Sequence, residues 1–337
     1  MQKTTSILEN LKKNDLFEVA PGIHCLQIVM VNVYFVRDLE GKPNEWVLVD
    51  TGLPRSANRI RRAAEKLYGK DARPKAIIMT HGHFDHVGAL RTLAYEWDVP
   101  VYAHLLELPY LTGKSSYPPP DPSVGGGAMA YMSFLYPKKP VDVSIWVKKL
   151  PSDGHVPHLA GWSYLHTPGH TGGHVSFFRE SDKVLIAGDA FITVNQESML
   201  SVITQKQEIH GPPTYFTTNW EASKRSIERL MLLRPTVAAT GHGLPMYGED
   251  MLHQLEQLVR EFDERAVPAQ GRYVNQAAET DETGVISVPP PISDPFSKIM
   301  AGVGLVTLAG LAALAVKKRK NRALLDETMR DISENNR

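Results

Sequence analysis

The sequence predicts an α+β fold in which two β-sheets pack face to face with helices outside. Three observations predict it. Short apolar, partly β-branched runs alternate with amphipathic stretches in the order strand-rich, helix, strand-rich, helix, repeated roughly twice. The 337 residues suffice for a large core, as one big domain with an appendage or as two domains. Several strand ends carry a His or Asp beside a glycine, where loop side chains converge on a rigid scaffold.

The elements follow in order. Residues 23–31, 32–37 and 46–49 read as strands, the last two joined by the polar turn Gly41-Lys42-Pro43-Asn44 as a hairpin. Residues 56–67, rich in Arg, Ala and Glu, predict a helix. Residues 76–80 predict a short buried strand, and the apolar spacing of Val87, Leu90, Leu93 and Ala94 predicts a helix to residue 97. Strands are expected at 162–166, 174–178, 183–187 and 237–240. Helices are expected at 219–233, with Ile227, Leu230, Met231 and Leu233 near one side, and at 249–262. Two long segments interrupt this rhythm. Residues 111–140 hold Pro118-Pro119-Pro120 and Gly125-Gly126-Gly127 before Met129, Tyr131, Phe134 and Tyr136, and residues 191–218 include His210, Tyr215 and Phe216. Segments this long inside a domain are often functional, so both are candidates for pocket walls, with Tyr131, His210 and Tyr215 as candidate pocket residues.

The run His81-Gly82-His83-Phe84-Asp85-His86 concentrates four metal-binding side chains in six residues at a strand-to-helix turn. Gly82, without a Cβ, is expected to let the chain turn sharply enough for His81 and His83 to aim inward together. Downstream, His170, Asp189 and His242 each follow a predicted strand. Five His and two Asp suffice for two divalent ions bridged by one carboxylate. With one cysteine in the chain, zinc held by His and carboxylates is the first expectation, with manganese or iron as alternatives. His174 is expected to be structural, and His155, His158 and His166 to face solvent. His104, like His210, is a weaker pocket candidate.

These residues together resemble the metallo-β-lactamase superfamily over residues 17–265. The strand ending in Asp50-Thr51-Gly52, the box from His81 to His86, then His170, Asp189 and His242 stand in the family's order. The resemblance implies a four-layer αββα sandwich with metals at one edge of the sheets. It implies one ion on His81, His83 and His170, a second on Asp85, His86 and His242, with Asp189 bridging. Asp50 looks like the family's outer carboxylate that orients a ligand imidazole. The implied activity is a metal-dependent hydrolase whose metal-bridging hydroxide attacks an ester, lactone or thioester carbonyl, with Asp85 also carrying a proton to the leaving group. The ligand set is similar to that of glyoxalase-II-type thioesterases and lactonases. The gap from His86 to His170 is longer, however, which fits an insertion at 111–140. Asp189 stands where some β-lactamases carry a cysteine metal ligand, which disfavours a β-lactamase of that kind. The alternatives are a phosphodiesterase of the same fold and an iron-dependent oxidoreductase of the superfamily.

Composition limits the partners. Thirty-seven basic and 37 acidic residues cancel, which argues against a nucleic-acid surface and leaves a small-molecule substrate. The single cysteine, Cys25, excludes an intramolecular disulfide and sits in a predicted strand as a buried thiol. Residues 1–16 read as a polar extension without a signal peptide's apolar core, so a cytoplasmic start is expected. After the catalytic domain, residues 266–298 read as a proline-rich linker. Residues 299–316, free of charge, are ~27 Å long as a helix and are expected to span or associate with a membrane. Residues 317–337 form a basic, charged tail.

Overall fold

A computed structural model describes residues 15–293, except 43, 197–200 and 202–203. Its centre is the alternation of strand side chains between two buried faces. In β3 (Val31–Arg37), Val33 and Phe35 pack toward one core while Tyr34 and Val36 pack toward another. The neighbouring β4 (Trp46–Val49) divides in the same way, Trp46 and Leu48 against Val47 and Val49. A strand with period two can bury both faces only when a layer covers each side.

One sheet runs β1 (Leu16–Ala20), β2 (Ile23–Ile28), β3, β4, β5 (Ile77–Ile78), β6 (Val101–Ala103), β7 (Val147–Lys149), antiparallel as far as β4 and parallel beyond it. The other holds β8 (Trp162–His166), β9 (Val175–Arg179), β10 (Val184–Gly188), β11 (Val237–Thr240) and β12 (Met246–Tyr247), with β10 and β11 parallel and the rest antiparallel. Between the sheets, Ile23, Tyr34, Val49 and Ile78 meet Val175, Phe177, Ile186 and Ala239. Outside the first sheet, α1 (Ala57–Tyr68) and α2 (Leu90–Trp97) contribute Ile60, Ala64, Leu90 and Leu93. Outside the second, α3 (Trp220–Leu232) and α4 (Gly248–Arg260) contribute Ile227, Leu230, Leu255 and Leu258 against Leu185 and Ala238. The layers are therefore helix, sheet, sheet, helix, as expected. Cys25 lies in the inter-sheet core, where burial pushes its thiol far above the usual range.

Several expectations change. The strand expected to residue 31 ends at Ile28, because Val29 turns with φ +63° and its side chain is exposed. The linker expected at 266–298 is folded in its first part. Tyr273 is buried and its hydroxyl donates to the Pro119 carbonyl at 2.6 Å, while the Gln270 amide donates to the Ser123 carbonyl at 2.9 Å. Beyond them β13 (Glu279–Asp281) and β14 (Gly284–Ser287) form a hairpin, closed by an Asp281 carboxylate that accepts from the Thr283 amide and hydroxyl. A polar composition was compatible with a turn as well as with a spacer. The C-terminal apolar helix expected at 299–316, the tail after it and residues 1–14 lie outside the described residues. Among the described residues no helix is long and apolar enough to cross a membrane.

The loop after β8 depends on close contact with α3. Gly169 has φ +142°, and a Cβ there would lie 2.4 Å from the backbone of Ser223. Gly169→Ala is therefore expected to destabilise the metal-free protein by about 1–3 kcal/mol through forced separation of loop and helix. Urea unfolding midpoints measure it, and an unchanged midpoint would refute the contact.

Candidate metal centre

Each candidate ligand sits just beyond a strand. His81 to His86 follow β5, His170 follows β8, Asp189 follows β10 and His242 follows β11. The loop after β5 is stapled to the loop after β4: the Thr51 amide and hydroxyl both donate to the His86 carbonyl at 2.7 Å, and the Gly88 amide donates to the Gly52 carbonyl at 2.8 Å. Gly82 serves this loop differently from expectation. Its φ is not positive, and what requires its hydrogen is space, since a Cβ would lie 2.7 Å from the Tyr117 hydroxyl.

The side chains converge in three overlapping groups, each with ligand atoms within 4.8 Å of one another: His81, His83 and His170; His81, His86 and Asp189; Asp85, His86 and His242. Asp189 Oδ2 lies 3.6 Å from both His86 Nε2 and His170 Nε2 and 3.2 Å from His242 Nε2, so it stands between the outer two groups. The seven residues are brought together as the sequence expected, with Asp85 the least enclosed.

Hydrogen bonds on the far side of the rings set their direction. His86 Nδ1 is 2.8 Å from Asp50 Oδ2, and His242 Nδ1 is 2.7 Å from the Met30 carbonyl. The Thr80 hydroxyl donates to Asp50 at 2.7 Å, so its oxygen is left to accept from His81 Nδ1 at 3.0 Å. The Thr217 hydroxyl likewise donates to the Pro213 carbonyl at 2.8 Å and accepts from His170 Nδ1 at 3.3 Å. All four rings are thus anchored outward through Nδ1 and point Nε2 inward. His83 is turned the other way, with Nδ1 2.9 Å from His170 Nε2. Asp50, at φ +60°, also accepts from the Thr80 amide at 2.8 Å.

Three of the inward atoms have no hydrogen-bond partner. His81 Nε2, His86 Nε2 and Asp189 Oδ1 are buried without a hydrogen bond. One such atom costs roughly 1–3 kcal/mol, and three so close together fit a site built for divalent cations. The charges agree. Burial, with the neighbouring imidazoles, holds His81 and His83 well below the usual histidine range, and burial takes His170 down to about 4. Burial opposes charge on His86 as well, but Asp189, Asp50 and Asp85 outweigh it and hold the ring well above that range. His242 is raised in the same way, by Asp189 and Asp85. Burial pulls Asp189 upward, and His242 with His86 overrides it and keeps the carboxylate ionised.

Other residues fall in varied places. His174, as expected, is structural: its Nε2 accepts from the Asp189 amide at 2.9 Å. His155 and His158 are exposed, but His166 is half-buried and stacks on His104 at 4.1 Å, because the ends of β6 and β8 bring the two rings together. Tyr215 is buried, with its hydroxyl donating to Gln196 at 3.1 Å, in an apolar cluster with Phe216 and Ala130. Tyr131 is half-buried on the helical turn Ala128–Tyr131 that carries Ala130 and Met129 of that cluster. His210 is half-buried and pairs through its backbone with Ile192, outside the three ligand groups. The two segments expected as pocket walls supply Tyr136 and Phe216, but the sequence did not show which of their rings meet. Phe216 stacks on His83 at 4.5 Å, and Phe84 and Tyr136 lie 6.2 and 5.9 Å from Phe216. Sequence reasoning missed Phe84 as their partner, although its place inside the ligand box was a usable signal.

Comparison with known proteins places the chain. The family model described as the metallo-beta-lactamase superfamily matches residues 26–242. The chain is 47% identical over 251 residues to the probable metallo-hydrolase YflN of Bacillus subtilis (strain 168), covering 74% of this chain and 95% of that protein. It is 29% identical over 135 residues to the hydroxyacylglutathione hydrolase GloC of Haemophilus influenzae, covering 40% of this chain and 56% of that protein. Among solved structures, a B3 metallo-beta-lactamase with an active-site glutamic acid has the same fold, with a TM-score of 0.50 at 19% identity over 77% of this chain and 94% of that one.

Because the ligands cannot satisfy one another, chelator-treated protein is expected to melt at a lower temperature than protein with added zinc. An ion at a hundred times its Kd adds about 2.7 kcal/mol. The carboxylates of Asp189 and Asp85 favour protonation of His86 and His242, and an ion must displace such protons, so affinity at that pair is expected to rise with pH. Differential scanning calorimetry against zinc, manganese and ferrous iron between pH 6 and pH 8 measures both effects. No shift with any of them would refute a metal centre.

Proposed function

The chain belongs to the metallo-beta-lactamase superfamily and is a metallo-hydrolase of that fold, and on that premise we propose that it hydrolyses an ester, lactone or thioester bond with two divalent ions. The reading rests above all on one observation, the four inward Nε2 atoms held by outward hydrogen bonds around the unpartnered Asp189 Oδ1. In it, His81, His83 and His170 hold one ion, Asp85, His86 and His242 the other, and Asp189 bridges. A donor set of imidazoles and carboxylates suits zinc first, and manganese or iron next. When bound, the ions supply a nucleophilic water at neutral pH and polarise the carbonyl under attack.

The chain's own groups do the rest. The rings of Phe216, Phe84 and Tyr136 keep water from the side of His83, and in such surroundings fixed charges act more strongly on a developing oxyanion. An apolar wall there also suits the carbon skeleton of an acyl group, which favours a carbonyl substrate over a phosphodiester. The likeness to a hydroxyacylglutathione hydrolase supports reaction at an acyl carbon. Asp85 has a side chain 12% exposed, against 3% for Asp189, and lies 3.4 Å from His242 Nε2. It is the carboxylate with access to a leaving group, and in this reading it carries the proton.

Asp85→Asn is expected to leave the fold intact and to cut turnover at least a hundredfold. Near-normal turnover at full metal occupancy would sink the proton-carrying role. Metal analysis of the purified protein, followed by a panel of lactones, thioesters, phosphodiesters and β-lactams with His83→Ala as control, tests the function. Hydrolysis confined to phosphodiesters would overturn the acyl assignment.

A further inference from the structure

Outside the ligands, the described residues contain a buried carboxylate that the proposed reaction does not use. Glu107 is fully buried, in the run Leu105-Leu106-Glu107-Leu108 after β6. Its two oxygens face different loops. Oε2 accepts from the Gly82 amide at 3.0 Å, the peptide between His81 and His83, and from the Tyr117 hydroxyl. Oε1 accepts from the Thr171 hydroxyl at 2.7 Å and the Gly173 amide at 3.0 Å, in the turn immediately after His170.

Two glycines make room for this contact. A Cβ on Gly173 would lie 2.8 Å from Glu107, and one on Gly82 would lie 2.7 Å from the Tyr117 hydroxyl. Tyr117 completes the arrangement. Its oxygen accepts from the Gly82 amide at 2.7 Å, its ring lies 4.5 Å from that of His83, and its other neighbour Tyr110 stacks at 3.9 Å.

We infer that Glu107, assisted by Tyr117, is a positioning residue that sets the spacing of His81 and His83 against His170, and with it the affinity of the first ion. The inference rests on the metal-centre reading above. The physical reason is that these ligands arrive on loops from two different sheets, and a carboxylate is a rigid plate with an acceptor at each end. Four donors converge on it, so no other residue type of that size satisfies both sides. Glutamine must turn an NH2 toward either the Gly82 or the Gly173 amide, where donor meets donor.

The experiment is Co2+ titration of the full chain, read by visible absorption and by competition with a chelator, for wild type, Glu107→Gln, Tyr117→Phe and Thr171→Val. Wild type should take two equivalents. Glu107→Gln should bind one of them ten- to a hundredfold more weakly, with an altered spectrum for that equivalent alone. Tyr117→Phe and Thr171→Val, which each remove a single hydroxyl, should show smaller losses in the same equivalent and carry the test if Glu107→Gln does not fold. A purely structural role would lower the melting temperature of the metal-free variants without changing either affinity. That result, or wild-type spectra in all three variants, overturns the inference while leaving the metal centre standing. Failure of wild type to bind Co2+ would overturn both.

Discussion

The Asp50 carboxylate, at the end of β4, is the group on which the arrangement of the centre depends. Removal from water makes an ionised carboxylate costly unless strong donors surround it. Three do: the Thr80 amide, the Thr80 hydroxyl and His86 Nδ1. In satisfying Asp50 they also fix the metal loop, His86 directly and His81 through the Thr80 oxygen. The position is demanding, since Asp50 has φ +60°. Asp tolerates that region better than most residues, and the two-sided burial of β4 leaves the backbone no room to relax. The sandwich thus acts on the chemistry through one carboxylate whose direction the packing has already determined.

The charge pattern around it is divided. His81, His83 and His170 have mostly imidazole neighbours and are kept neutral by burial. His86 and His242 face Asp189 and Asp85, whose charges favour protonation of both rings. The five rings therefore divide into one cluster held neutral and one drawn toward positive charge. Asp189 is common to both, with one oxygen 3.6 Å or less from His86, His170 and His242.

Much of this was legible in the chain, for identifiable reasons. Six residues from His81 to His86 contain four metal-binding side chains, a density that few other roles require. The strands that bury both faces, such as β3 and β10, announced themselves as apolar runs. Shorter elements did not. β5 is only Ile77–Ile78, and β12 only Met246–Tyr247, so neither length nor periodicity could define them, although the run 76–80 was read as extended. The hairpin at 279–287 was hidden because its residues are polar and its stability comes from pairing. Glu107 was overlooked because a sequence cannot report that four donors from three separate segments meet one acidic side chain. The segments of the aromatic wall were legible as long insertions, but not the meeting of its rings, which come from positions 84, 136 and 216.

The long segment over 111–140 gains meaning from where its two ends attach. Near its start, Tyr117 joins Glu107 and the peptide of Gly82, beneath the metal loop. Near its finish, Tyr136 faces Phe84 and Phe216 beside His83. Between these points the chain is held by Asp121, whose carboxylate accepts from Ser123 and from the Arg272 amide, and by Tyr273 at Pro119. One end therefore touches the loop that carries His81 and His83, and the other faces the wall that the proposed substrate would meet. The anchors in between are separate from both, so each end is tied down on its own. Because Phe216 also stacks on His83, a change in the wall would reach the ligand as well as the substrate.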